Sequence, residues 1–206
     1  MTDRPTLTDR RRAETQLEIA TAAAELFAER GAEGTTAEDI ARASGVALRT
    51  FYRYFRTKEE AVAPLLAAGG RRWLELIAAE DPALPVPQAL ARAAAGALTP
   101  ADDRAAEGLR WTRALLTDPG LRAVWRTVHQ DSEDALVPVL AARVGPEADP
   151  LELRLAAAAA TAAIRVALES WAAGPGTATA GPGSPGVLAA RCVAELTAGL
   201  RLWQQP

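Results

Sequence analysis

A chain of 206 residues, 49% of them apolar, can build one mid-sized domain, or a small domain beside a larger one, around a substantial core. A formal charge of −3 and a pI near 5.4 mean that bulk charge does not mark a nucleic-acid binder, so any such case must rest on local clusters. One cysteine, Cys192, excludes an internal disulfide framework and a cysteine-based zinc site, and one histidine, His129, removes most metal-ligand and triad arrangements.

No apolar run approaches the roughly 20 residues of a membrane span, and residues 1–15 hold no signal-peptide core. The expectation is a soluble cytoplasmic protein with no metal, no cofactor and no membrane partner.

Residues 1–12 are polar, carry Arg10, Arg11 and Arg12, and read as a flexible arm. A helix then starts near Ala13, with Ile19, Ala22, Ala23, Leu26 and Phe27 at helical spacing. Gly31 closes it as a C-terminal glycine cap, and Gly34 keeps the loop open. Thr36 and Asp39 have the spacing of a capping box with Asp in place of Glu. Ile40, Ala41 and Ala43 give a short helix with a small apolar face; Gly45 breaks it and Val46 anchors the turn. The next helix runs from about Ala47 to Arg56, with Phe51 and Phe55 four apart on one face. Thr57 and Glu60 again fit a cap, for a fourth helix from Glu59 to about Glu80 that Pro64 kinks and Gly69-Gly70 weakens. A proline-rich loop fills 81–87. Helices are then expected over about 86–98, 101–117, 119–144, 149–173 and 184–203, with a low-complexity linker from Gly174 to Gly186. No strand alternation and no internal repeat are visible. The fold class is all-α: a small N-terminal domain over 1–58 and a helical domain over 59–206.

Two short helices about a glycine turn, the second rich in exposed polar and aromatic side chains, form the helix-turn-helix pattern. The second helix must bury one face, here Val46, Phe51 and Phe55, and offer the other to a major groove. Between Gly45 and Lys58 there is no acid, and there are four cations: Arg49, Arg53, Arg56 and Lys58. Thr50, Tyr52 and Tyr54 add hydroxyls that suit phosphate oxygens. A solvated basic helix in an ordinary bundle has the same pattern, so the spacing alone leaves both readings open.

The run Gly31, Thr36, Ile40-Ala41, Gly45-Val46, Thr50-Phe51-Tyr52, Tyr54-Phe55 and Lys58, with Leu26-Phe27 before it, resembles the N-terminal domain of TetR-family (tetracycline-repressor-like) regulators over roughly residues 13–65. The resemblance implies an all-helical homodimer, with three helices for DNA and the later ones for ligand binding and dimerisation. It implies that Thr36 caps the second helix and touches a phosphate. Leu48, Arg49 and Thr50 then lie at the groove end of the recognition helix, Tyr52 and Tyr54 clamp the backbone, and Lys58 contacts a phosphate. Arg53 belongs to the same DNA-facing set. Arg49 suits a bidentate pair with guanine, or a phosphate. Tyr54 stands where His is common in the family. Glu38 either accepts from a cytosine amino group or, as we favour, turns away to pair with an arginine.

The remaining helices carry weaker signals. The Ala-rich helix from Leu151 to Trp171, with that from Val187 to Leu202, suits a two-fold four-helix interface or ordinary core packing. A ligand pocket between the middle helices has Trp111, Leu115, Trp125, Val128 and Leu136 as apolar candidates, and Arg113, His129 and Arg165 as polar ones. Each tryptophan suits the core better than a ligand contact. The expected partners are a near-palindromic double-stranded DNA operator, a mostly hydrophobic small molecule of unknown identity, and a second copy of the chain. The expected role is transcriptional repression relieved by that molecule. A helical enzyme is disfavoured because the acids are scattered and no residues stand at a catalytic spacing. A helical interaction module that has lost DNA binding is disfavoured by the intact run from Arg49 to Lys58.

Overall fold

A computed structural model describes residues 6–175 and 178–197 of the chain. Among the described residues there are nine α-helices and no strand, and no helix is long and apolar enough to cross a membrane. The all-α expectation holds.

The first helix, α1, spans Leu7–Arg30, six residues longer at its start than the sequence suggested. Thr6 is the reason. Its Oγ1 accepts from the Asp9 amide at 3.1 Å, and the Asp9 carboxylate accepts from the Thr6 amide at 3.1 Å. This capping box satisfies two orphan amides, so Arg10, Arg11 and Arg12 stand on the first turns of a helix rather than on an arm. Residues 1–5 of the expected arm lie outside the described residues. Gly31 ends α1 with φ +73°, as the cap reading requires.

Helices α2 (Ala37–Ala43) and α3 (Leu48–Tyr54) follow. Residues 59–62 then form a 3-10 turn, and α4 spans Ala63–Ala79. The expected kink at Pro64 is therefore absent: the proline sits in the first turn of α4, where its missing N–H costs nothing. Gly69 and Gly70 lie inside α4 without ending it. A Cβ on Gly70 would come within 2.7 Å of Ser132 Oγ, so this glycine sets how closely α4 approaches the helix carrying Ser132.

The rest comprises α5 (Val86–Ala97), α6 (Asp103–Thr117), α7 (Arg122–Val144), α8 (Pro150–Ala173) and α9 (Pro185–Thr197). The part of the last helix expected over 198–203 lies outside the described residues, as do 176–177 of the linker. Helix α9 packs between α5 and α8, and α7 packs between α4 and α8. Ile77, Leu90, Leu136, Leu140 and Val193 are fully buried at these contacts. The Arg143 guanidinium donates to the carbonyls of Ile77, Glu80, Asp81 and Leu84, closing the C-terminus of α4 with a cation and fixing the proline-rich loop.

Gly186 makes the α9 contact possible. A Cβ there would meet Ala95 O and Thr99 Oγ1, each at 2.9 Å. Because the carbonyl cannot turn aside, Gly186→Ala is expected to cost about 1–3 kcal/mol through overpacking, read as a lowered urea midpoint with an unchanged m-value.

Candidate nucleic-acid interface and the adjoining cavity

The N-terminal head is organised by caps. Thr36 Oγ1 accepts from the Asp39 amide at 3.1 Å and donates to the Asp39 carboxylate at 2.7 Å, while that carboxylate also accepts from the Thr36 amide at 3.1 Å. These bonds hold the Asp39 carboxyl below its usual range, with the Thr36 hydroxyl as the largest cause. They also commit the Thr36 hydroxyl proton, so its capping role is built in.

The turn from α2 to α3 is a complete Schellman motif. Gly45 N donates to Arg42 O at 3.2 Å, and Val46 N donates to Ala41 O at 2.9 Å. Gly45 has φ +70°, a left-handed conformation that disfavours a side chain. Ala37, Ile40 and Ala41 form the buried face of α2; Ala43, expected there, is exposed. Phe51 and Phe55 anchor α3, with ring centroids 5.6 Å apart.

This anchoring turns the opposite face of α3 outward. Arg49, Tyr52 and Arg53 are exposed, and Leu48 and Thr50 are half-buried beside them. Tyr52 makes an edge contact with Phe51 at 5.4 Å while half its surface stays exposed. Tyr54 lies against two guanidiniums, Arg53 at 5.1 Å and Arg12 at 5.9 Å from its ring centroid. Arg12 thus adds a cation that the sequence reading had placed on the arm. Glu38 is exposed and makes no ion pair among the described residues; Arg42 pairs instead with Asp39 at 3.3 Å. The expected arginine partner for Glu38 is therefore absent.

Lys58 has a second task that spacing could not reveal. Its Nζ donates to Ala32 O at 2.5 Å and Thr35 O at 2.7 Å, tying the loop between α1 and α2 to the end of the head. The ammonium also pairs with the neighbouring Glu59 carboxylate at 3.9 Å. The same loop is held from the other side. One oxygen of Asp118, just past α6, accepts from Ala32 N at 2.7 Å, and the other accepts from Gly120 N at 2.8 Å.

Beyond the head, α1, α4, α5, α6, α7 and α8 enclose a cavity of about 590 Å³. Of the sequence candidates, Trp111, Trp125, Val128 and His129 line it. Leu115 does not: it is a core residue, as is Leu136. Arg165 does not either, since its guanidinium pairs with Glu169 at 3.0 Å. Arg113 donates to Gly174 O and lies over the Trp171 ring, again away from the lining. Sequence reasoning missed Ser132, one turn beyond Val128 on α7, and Trp73 and Thr161, which lie on α4 and α8 and join the lining only through packing. Among the described residues, no group of His, Cys, Asp or Glu could hold a metal.

His129 lies edge-on to Trp125 with centroids 4.0 Å apart, and neither ring nitrogen has a hydrogen-bond partner among the described residues. Burial pushes the imidazole from 6.5 down to about 4, helped by the nearby Arg165 and opposed by Glu169.

The molecule compares with known proteins on both parts. Residues 19–63 match the model of the bacterial regulatory proteins of the tetR family, and residues 84–182 match that of the MftR C-terminal domain. The HTH-type transcriptional regulator TcmR of Streptomyces glaucescens is 31% identical over 152 residues, spanning 70% of this chain and 67% of that protein. The HTH-type transcriptional repressor Rv3405c of Mycobacterium tuberculosis is 40% identical over 97 residues, spanning 45% of this chain and 51% of that protein. In fold, the chain is similar to the TetR family repressor AlkX of Dietzia, with a TM-score of 0.61, 22% identity, and 90% and 97% of the two chains covered. It is also similar to the multidrug binding protein EbrR solved with imidazole, with a TM-score of 0.52, 21% identity, and 88% and 93% covered. A helix-turn-helix head on a helical body is the architecture of a DNA-binding regulator of transcription. The chain belongs to the TetR family.

The buried imidazole has a consequence for stability. Because its folded value is lowered, the unfolded chain binds a proton that the folded chain refuses between about 4 and 6.5. Stability is then complete above that window and falls as pH drops through it. Urea midpoints across this range are expected to decline in the natural protein and to stay flatter in His129→Leu.

Proposed function

We propose that this regulator represses transcription as a homodimer on a near-palindromic operator and releases it when a small, mostly hydrophobic molecule fills the cavity. Residues 1–58 act as the reading head, and residues 59–206 as the ligand-binding and dimerising body. The observation that carries the reading is the exposed face of α3: Arg49, Tyr52 and Arg53 stand outward and unshielded by any acid of that helix, on a turn fixed by Gly45.

In this reading Arg49 and Thr50, with Leu48 beside them, face base edges. Tyr52, Arg53 and Tyr54 grip phosphates, with Lys58 at the rim, while Thr36, its hydroxyl and amide both engaged with Asp39, holds the start of α2 in place. Glu38, exposed and without an ion pair among the described residues, can accept from a cytosine amino group. The partner surface is the outer side of α8 and α9, where Leu151, Leu155, Val166, Val187 and Leu196 are exposed, with Ala158, Ala159 and Ala162 between the larger side chains of α8. A dimer through that face sets two recognition helices about 34–36 Å apart, one turn of B-DNA. A relative's role supports repression: Rv3405c is named a repressor. EbrR, named a multidrug binding protein, supports an effector cavity.

Release needs a path from cavity to head. Helix α6 lines the cavity and ends at Asp118, whose carboxylate holds Ala32 N; α4 lines it too, pressed on α7 at Gly70. A ligand that displaces α6 draws on the head through this bond.

Gel shifts on the DNA upstream of the chain's own gene test this. Binding is expected to weaken steeply with salt, and Arg49→Ala is expected to lose about 1–3 kcal/mol of affinity while relaxing preference at one base position. Asp118→Asn is expected to keep DNA binding but blunt its response to ligand. Absence of salt-sensitive binding to any neighbouring promoter would rule out the regulator reading at those sites.

A further inference from the structure

The cavity is not uniformly apolar. Thr161, on α8, is 4% exposed, and its hydroxyl has no hydrogen-bond partner among the described residues. His129, on α7, has both ring nitrogens buried without one. Both residues line the cavity, alongside Trp73, Trp111 and Trp125. Buried polar atoms are almost always paired, because leaving one bare forfeits its hydration for nothing. Three bare polar atoms on two lining residues, among indole rings, describe a site that lacks its complement.

The chemistry of that complement follows from what the lining offers. A neutral imidazole presents one donor and one acceptor, and a threonine hydroxyl presents both. A hydroxyl on the ligand can donate to the bare imidazole nitrogen and accept from Thr161. Among the described lining residues no lysine or arginine occurs, and the one carboxylate is Asp102. The nearby Arg165 is engaged with Glu169, whose other oxygen accepts from Trp125 Nε1 at 3.2 Å. Nothing there balances a buried negative charge. Flat rings stack or meet edge-on with indoles at little entropic cost.

We propose that the cavity selects uncharged aromatic compounds bearing a hydroxyl group, held by His129 and Thr161, and rejects the corresponding carboxylates. This rests on the reading of the cavity as the effector site.

Equilibrium dialysis of the full chain at neutral pH against naphthalene, a naphthol and a naphthoate tests it. Naphthol is expected to bind about tenfold more tightly than naphthalene, the value of one satisfied hydrogen bond, and naphthoate more weakly than naphthol. Thr161→Val and His129→Leu are each expected to bring naphthol down toward naphthalene while leaving naphthalene bound, and Thr161→Ser to restore the preference. A collapsed cavity would lose both compounds together, which separates misfolding from lost recognition. Equal binding of naphthalene and naphthol by the natural protein, a preference surviving both substitutions, or tightest binding of naphthoate would overturn the proposal and leave the cavity an effector site. Failure of all three compounds to bind would overturn the effector-site reading itself.

Discussion

The loop between α1 and α2 is the constraint on which the rest depends. The Lys58 ammonium holds its carbonyls at Ala32 and Thr35 from within the head, and the Asp118 carboxylate holds its amide at Ala32 from the body. One peptide segment is thus gripped by opposite charges on opposite sides. Charge-assisted bonds of this kind are about twice as strong as neutral ones. The grip from Lys58 fixes α2 against α1, and therefore fixes where α3 points. The grip from Asp118 makes that direction depend on α6, a wall of the cavity.

Net charge matters little to such a molecule. The whole chain is acidic, at −3, yet the segment from Gly45 to Lys58 has four cations and no acid. Packing sharpens this asymmetry. Phe51 and Phe55 consume the inward face of α3, so its arginines have only the outward direction left. The capping box before α1 then brings Arg12 onto the same side as Tyr54, which lies between Arg12 and Arg53. Adjoining this charged head is a cavity without a lysine or arginine in its described lining, so one chain presents two surfaces of contrasting chemistry.

Much of this was legible in the residues. Thr36 with Asp39, Gly31, Gly45 and the Phe51–Phe55 pair are local signals, and each describes a cap, a turn or a buried face that needs no distant partner. The helices beyond residue 85 were legible from proline and glycine punctuation. The misses have two causes. Thr6 and Asp9 carry the same capping spacing as Thr36 and Asp39, but the polar residues after them lack an apolar face and read as an arm. Pro64 read as a kink because the 3-10 turn at 59–62 postponed the start of α4. The cavity was only partly legible for a deeper reason: Trp125, Val128, His129 and Ser132 share one helix, whereas Trp73 on α4 and Thr161 on α8 meet them only through packing between helices. Leu115 and Arg165 have the right chemistry on the wrong side of their helices.

The central claim is that the outward face of α3 enters a major groove, led by Arg49. Methylation protection of guanine N7 on the DNA upstream of the chain's own gene tests it most directly, because that atom lies in the major groove and is the one a guanidinium covers. The account predicts protected guanines in two patches about one helical turn apart, lost selectively in Arg49→Ala. Binding that leaves every guanine N7 reactive, or protection that survives the loss of Arg49, would contradict it.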